Sequence, residues 1–153
     1  MTNAIETRLA DLGLTLPDAP APGANYVPFV KTGNQFYVSG QLPTGPDGLI
    51  KGKLGADLDA DAGAEAAKYC ALALLSQARK AADGDLTRVR VLKLVGFVNS
   101  TADFGDQPKV VNGASDLMVD VLGENGRHAR SAVSAASLPF GVAVEIEGIF
   151  EIL

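Results

Sequence analysis

The sequence predicts an α+β domain, with helices layered on one face of a largely antiparallel sheet. Two segments near residues 61–82 and 108–122 have helical period, and β-rich runs precede, separate and follow them without an internal repeat. The closing run from Val142 to Ile152 (VAVEIEGIFEI) alternates strictly, as a strand with one face on a core does. The longer helical segment is rich in alanine, whose small side chains allow close packing on a sheet. At 153 residues the chain has the length of one domain, so residues 1–153 are expected to share a single core.

The elements follow in order. Ala4 to Leu12 places Ile5, Leu9 and Leu12 at helical spacing, with Thr2 or Asn3 as N-cap and Gly13 just past the end. Prolines 17, 20, 22 and 28 then forbid a helix and favour extended chain, so residues 1–25 read as an N-terminal helix followed by a proline-rich arm. Tyr26–Thr32 and Gln35–Gly40 are β-rich and flank Gly33-Asn34, the signature of a tight hairpin. The turn-rich stretch after Gln41 leaves room for one short strand at Leu49–Lys51.

From Asp61 to Ala82, Ala67, Cys70, Ala71, Leu74, Ala78 and Ala81 recur at three- and four-residue steps, predicting the longest helix. Val89–Val98 turns continuously apolar, as a central strand does. Ser100–Gln107 reads as a polar loop and Pro108–Leu122 as a helix with proline in its first turn, ended by Gly123 to Gly126. Ala129–Ala136 and Val142–Ile152 complete the strands, and a strand, helix, strand succession implies a right-handed crossover. In the last strand Val142, Val144, Ile146 and Gly148 share one face, and Ala143, Glu145, Glu147 and Ile149 the other. Both faces carry apolar groups, so association through the face without helices is expected.

Composition narrows function. The apolar fraction of 47% with 20% charged residues is that of a globular protein. No apolar run approaches the roughly 18 residues of a membrane span, and the first 30 residues lack a basic-then-apolar targeting segment, so a cytoplasmic protein without a membrane partner is expected. A single cysteine, Cys70, and a single histidine, His128, argue against a disulfide and against a metal centre. The net charge of −5 argues against nucleic acid as a partner.

No nucleophile and base pair announces itself, since His128 falls in a loop beside Arg127 and Arg130 without a GxSxG motif. GENG and TGPDG read as turns, and Asp57, Asp59 and Asp61 as charge complementing a helix N-terminus. Two residues remain. Arg130 opens a strand, as a solvated rim residue or as a planar fork for a carboxylate. Glu145 lies in the next strand, as half of a cross-strand ion pair or as a carboxylate that orients water.

Together the segments resemble the reactive intermediate deaminase family, also called RidA or YjgF and formerly endoribonuclease L-PSP. The resemblance lies in Ala129-Arg130-Ser131-Ala132-Val133, Ser137-Leu138-Pro139 and Val144-Glu145-Ile146-Glu147-Gly148-Ile149, with 15 positions from arginine to glutamate. Upstream, Tyr26 stands 13 residues before Ser39 in Ser39-Gly40-Gln41-Leu42-Pro43, and Asn112 follows Val110-Val111. The likeness runs from about Tyr26 to Leu153 and points to a longer-chain branch. It implies a chorismate-mutase-like fold of the bacterial type with an extra N-terminal helix, and a homotrimer with clefts between subunits. It further implies hydrolysis of 2-imino acids, of the 2-iminobutanoate and 2-iminopropanoate class, to 2-keto acids and ammonia, without cofactor or metal. Arg130 would clamp the substrate carboxylate, Glu145 and the Ala132 carbonyl would hold water, and Tyr26, Ser39 and Asn112 would shape the pocket. The alternative is a trimer that keeps the fold and binds a small carboxylate, a 2-keto acid for example, without turnover.

Overall fold

The computed structural model describes residues 3–153. Its main sheet has five strands in the order β1-β2-β7-β5-β6: β1 Phe29–Thr32, β2 Gln35–Gln41, β5 Val89–Asn99, β6 Ala129–Ala135 and β7 Val144–Ile152. All neighbours are antiparallel except β5 and β6, the pair joined by a helix, because a parallel pair needs a long crossover. Gly33, at φ +59°, makes the two-residue turn that closes β1 onto β2.

Helices α2 (Ala60–Ala81) and α3 (Gln107–Leu122) pack on one face of this sheet and on each other. Asp59 caps α2 by accepting from Ala62 N at 2.8 Å. The whole expected stripe of α2, from Ala67 to Ala81, is fully buried. The helices approach closely at Gly113, where a Cβ would collide with the backbone of Ala64. The core joins Phe36 and Phe150, stacked at 5.2 Å, to Leu74, Leu75, Val111, Met118 and Ile146.

Several boundaries differ from the sequence reading. β1 starts at Phe29 instead of Tyr26, since Pro28 interrupts the ladder and leaves Tyr26 outside it. Instead of one strand at Leu49–Lys51 there is a miniature hairpin, β3 (Thr44–Gly45) with β4 (Gly48–Leu49), turned at Gly48. Val142 and Ala143 precede β7 because they pair elsewhere, Val142 with Lys51 and Ala143 N with Ile50 O. Asn3 accepts from Ile5 N and Glu6 N as N-cap of α1 (Ala4–Asp11), whereas Thr2 lies outside the described residues.

The proline arm covers the second face of α2. Ser76 Oγ donates to Pro17 O, and Gln77 Nε2 to Pro20 O at 2.8 Å. This explains why Leu72, Ala73, Ser76 and Gln77, off the sheet-facing stripe, are buried too. α1 is held by Arg8 Nη1 donating to Asp120 O at the end of α3, and by Leu9, which is buried.

The sheet face away from the helices is uncovered. It carries Val30 and Tyr37, cross-strand partners, with Ile149, Val95, Phe97 and Val133, and among them Glu145, Glu147 and Ser131. From Val144 onward the expected division of β7 is found, with Val144, Ile146 and Gly148 on the core side and Glu145 and Glu147 on the open side, whereas Ala143, expected on the open face, is buried in the core.

Candidate functional site

Arg130 enters the site from edge strand β6, on the side that faces α3. Its Nη1 donates to Ser115 Oγ at 3.1 Å and its Nη2 to Pro108 O at 3.1 Å, so α3 holds both ends of the fork. It is a half-buried, anchored side chain instead of a solvated rim residue, and no described carboxylate lies within 4.0 Å of it. Beside it an open pocket of about 280 Å³ is lined by Asn112, Ser115, Asp116, Arg127 and His128. Asn112 and Ser115, three apart on α3, share a helix face, which brings Asn112 to the arginine and away from Tyr26 and Ser39, with which it was expected to shape the pocket.

Ser115 was not singled out by sequence and His128 only as a lone loop histidine, and the structure pairs the two although no hydroxyl and base pair announced itself in the sequence. Ser115 Oγ lies 2.9 Å from His128 Nε2, and His128 Nδ1 lies 2.6 Å from Gly126 O. The signal was present but short: Asn112 to Ser115 is one helical turn, and His128 to Arg130 is one strand period.

Glu145 belongs to a different place. On the open face its carboxylate lies against Gly40 of β2, so close that a Cβ on Gly40 would stand 2.6 Å from Glu145 Oε2. Burial first, and the neighbouring Glu147 second, hold its carboxyl above the usual carboxylate range. It makes no ion pair with a described residue, so the cross-strand pair is absent. Behind it Cys70 Sγ lies 3.6 Å from Val144 O on the core side, its thiol pushed up by burial.

Gly40 also lines a second pocket, of about 230 Å³, together with Pro22, Tyr26, Pro28, Leu42 and Phe140. Ser39 spends its hydroxyl on Val27 O at 2.7 Å, while its N–H bonds Pro28 O, so its part is to hold the Tyr26 segment in place. Tyr26 accepts from Gly23 N at 3.3 Å and keeps an exposed ring at the pocket. Phe140, 68% exposed and at φ +60°, is a further lining residue that sequence did not reveal.

The six expected residues therefore fall into two groups. Arg130 and Asn112 stand together at the β6 edge, with Ala132 further along the same strand face. Tyr26, Ser39 and Glu145 gather around Gly40. Arg130 is in register with Leu94 and Gly148, whereas Glu145 pairs Phe97, three positions along, beside Val133. Two strand steps and three residues separate their Cα atoms by roughly 14 Å, and their side chains leave opposite faces of the sheet. One chain does not bring arginine and glutamate to the same molecule of substrate.

Among the described residues no group of three or more His, Cys, Asp or Glu could hold a metal ion, and no helix is long and apolar enough to cross a membrane.

Residues 6–147 match the profile of a family described as "YjgF/chorismate_mutase-like, putative endoribonuclease". The N-terminal helix and arm, which the sequence resemblance left out, fall largely within that match. A curated relative, Protein TCP17 from Trypanosoma cruzi, is 51% identical over 151 residues, covering 97% of this chain and 94% of its own length. A solved structure named a putative endoribonuclease, from Shewanella oneidensis, is 33% identical with a TM-score of 0.92, covering 99% of this chain and all of that one. RidA from the Antarctic bacterium Psychrobacter is 30% identical with a TM-score of 0.59, covering 88% of this chain and 94% of its own.

Proposed function

Because the chain belongs to the YjgF/chorismate mutase-like family, we propose that it hydrolyses reactive 2-imino acids to 2-keto acids and ammonia, in clefts completed by a second copy of itself. The observation that carries this reading is the splitting of the site into two complementary halves. One half offers an anchored guanidinium without a carboxylate partner. The other offers a half-buried carboxylate against Gly40, which also lines a pocket with an exposed tyrosine and phenylalanine.

The chemistry needs little more. An iminium carbon is already electrophilic, and Arg130 would bind the substrate carboxylate through its free N–H groups. Glu145 of a neighbouring copy would hold a water and take its proton as the new carbon–oxygen bond forms. The tetrahedral adduct then loses ammonia, its nitrogen receiving protons as the carbonyl forms, so imine and water give keto acid and ammonia. Placing the water within reach of the carbon supplies much of the rate. Ala132, at the position next to Val133 in the arginine's strand, would offer its carbonyl to that water.

The open sheet face supports a trimer, because Val30, Tyr37 and Val133 would otherwise leave a contiguous apolar surface in water. The net charge of −5 does not favour RNA as substrate.

The test is competition for an imine. A pyridoxal-phosphate dehydratase generates 2-iminobutanoate, semicarbazide traps it, and the wild-type protein should suppress semicarbazone formation. Failure to suppress it across several amino-acid-derived imines, with 2-ketobutyrate still bound, would leave a carboxylate-binding protein without turnover.

A further inference from the structure

Behind the guanidinium lies a chain of polar contacts whose direction is set by chemistry. Gly126 O is a carbonyl and can only accept, so His128 Nδ1, 2.6 Å away, carries the ring proton. Gly126 is buried against the end of α3, where any Cβ would collide with Met118 O, and this fixes the carbonyl in place. In the neutral ring Nε2 is then an acceptor, and Ser115 Oγ, at 2.9 Å, must turn its hydroxyl proton toward it. The lone pairs of Ser115 Oγ are left for Arg130 Nη1 at 3.1 Å. Burial holds His128 below its usual range, with Arg130 adding to this, in keeping with a neutral ring.

We propose that Ser115 and His128 are positioning residues that hold the Arg130 guanidinium ready for an anion. The relay runs from Arg130 to Ser115 to His128 to Gly126, each group donating to the next. With Nη2 fixed on Pro108 O, both ends of the fork are aimed by α3 and three N–H groups stay free for a carboxylate. The charged neighbours at the pocket are Asp116, which makes no ion pair with the guanidinium, and Arg127, a like charge that pairs with Glu124 at 3.1 Å. Without the relay Arg130 keeps its charge and loses its aim. The inference rests on the reading that Arg130 receives the substrate carboxylate.

His128 is the only histidine in the sequence, so its ring nitrogens can be followed by nitrogen-15 NMR in the intact protein without assignment. In the wild type the spectrum should show a neutral ring with the proton on Nδ1 and a bare Nε2. Ser115→Ala should leave the proton on Nδ1, where Gly126 O holds it, but shift the Nε2 resonance as its hydrogen bond is lost, and raise the dissociation constant for 2-ketobutyrate about five- to tenfold, the scale of one lost hydrogen bond. Ser115→Thr, which restores the hydroxyl, should return the Nε2 resonance toward its wild-type position and the affinity to within about twofold of wild type. In the imine assay Ser115→Ala should raise KM with kcat nearly unchanged, since the carboxylate contact is made in ground and transition states alike.

An Nε2-protonated ring in the wild type would overturn the proposal, and that measurement requires no variant to fold. Unchanged 2-ketobutyrate affinity in a folded Ser115→Ala would overturn it equally. If instead Arg130→Lys leaves 2-ketobutyrate affinity unchanged, the carboxylate reading itself fails while the histidine spectrum still reports the relay.

Discussion

Gly40 gives Glu145 its place by having no side chain. A Cβ there would stand 2.6 Å from Glu145 Oε2, the free end of a flexible side chain, while the backbone of Gly40 has no positive φ to forbid alanine. Gly40→Ala should therefore fold, costing less than about 1 kcal/mol in urea denaturation. The carboxylate must move aside, and imine hydrolysis should fall roughly 10- to 100-fold. Unaltered turnover in a folded Gly40→Ala protein would mean that the position of Glu145 is immaterial. Glu145 also carries a pH signature. Burial and Glu147 raise its folded-state pKa, so the folded protein binds this proton more tightly than the unfolded chain. Its favourable contribution is complete below the unfolded pKa and is lost as pH rises through the folded one. Glu145→Gln, which mimics the protonated form at every pH, should melt above wild type at pH 7, with the gap closing toward pH 4. A variant that melts below wild type at neutral pH would contradict the desolvated carboxylate.

Elements were legible in the sequence wherever a periodic face meets the core. The stripe of α2, the alternation of β7 and the glycine turn after β1 are local rules with one outcome each. The arm was legible as extended chain but its docking on α2 was not, because prolines carry no period and its partners lie some 57 to 59 positions away, at Ser76 and Gln77. The site was legible to the same degree. Arg130 and Glu145 stood out as residue types, but two strands separate them and they leave opposite faces, which spacing alone does not convey. The pairing of His128 with Ser115 escaped because it depends on where the end of α3 turns back toward β6. Removing residues 1–22 should expose the outer face of α2 and lose the buried Leu9 and Leu16, at a cost of roughly 3 to 6 kcal/mol from these two side chains. Urea denaturation checks this, and an unshifted midpoint would show that the arm is an ornament on an independent core.

For the molecule as a whole, the open face and the two half-sites ask for the same thing, a second copy. Light scattering should give close to three times the 15.8 kDa chain mass, and Val133→Lys, placing a charge in that face, should shift the population toward monomer. A wild-type monomer at micromolar concentration would leave Val30 and Tyr37 unexplained and the cleft incomplete.

The most direct measurement is complementation between two inactive variants. Arg130→Ala and Glu145→Gln should each be deficient in the semicarbazide competition assay. When the two are coexpressed, a cleft built from the arginine of one copy and the glutamate of another is intact in about one case in four, if the copies assemble at random in a closed ring. Turnover should then return to about a quarter of wild type, well above the sum of the two variants alone. Coexpressed mixed oligomers no more active than the separate variants would contradict the account, for arginine and glutamate would then not meet across subunits.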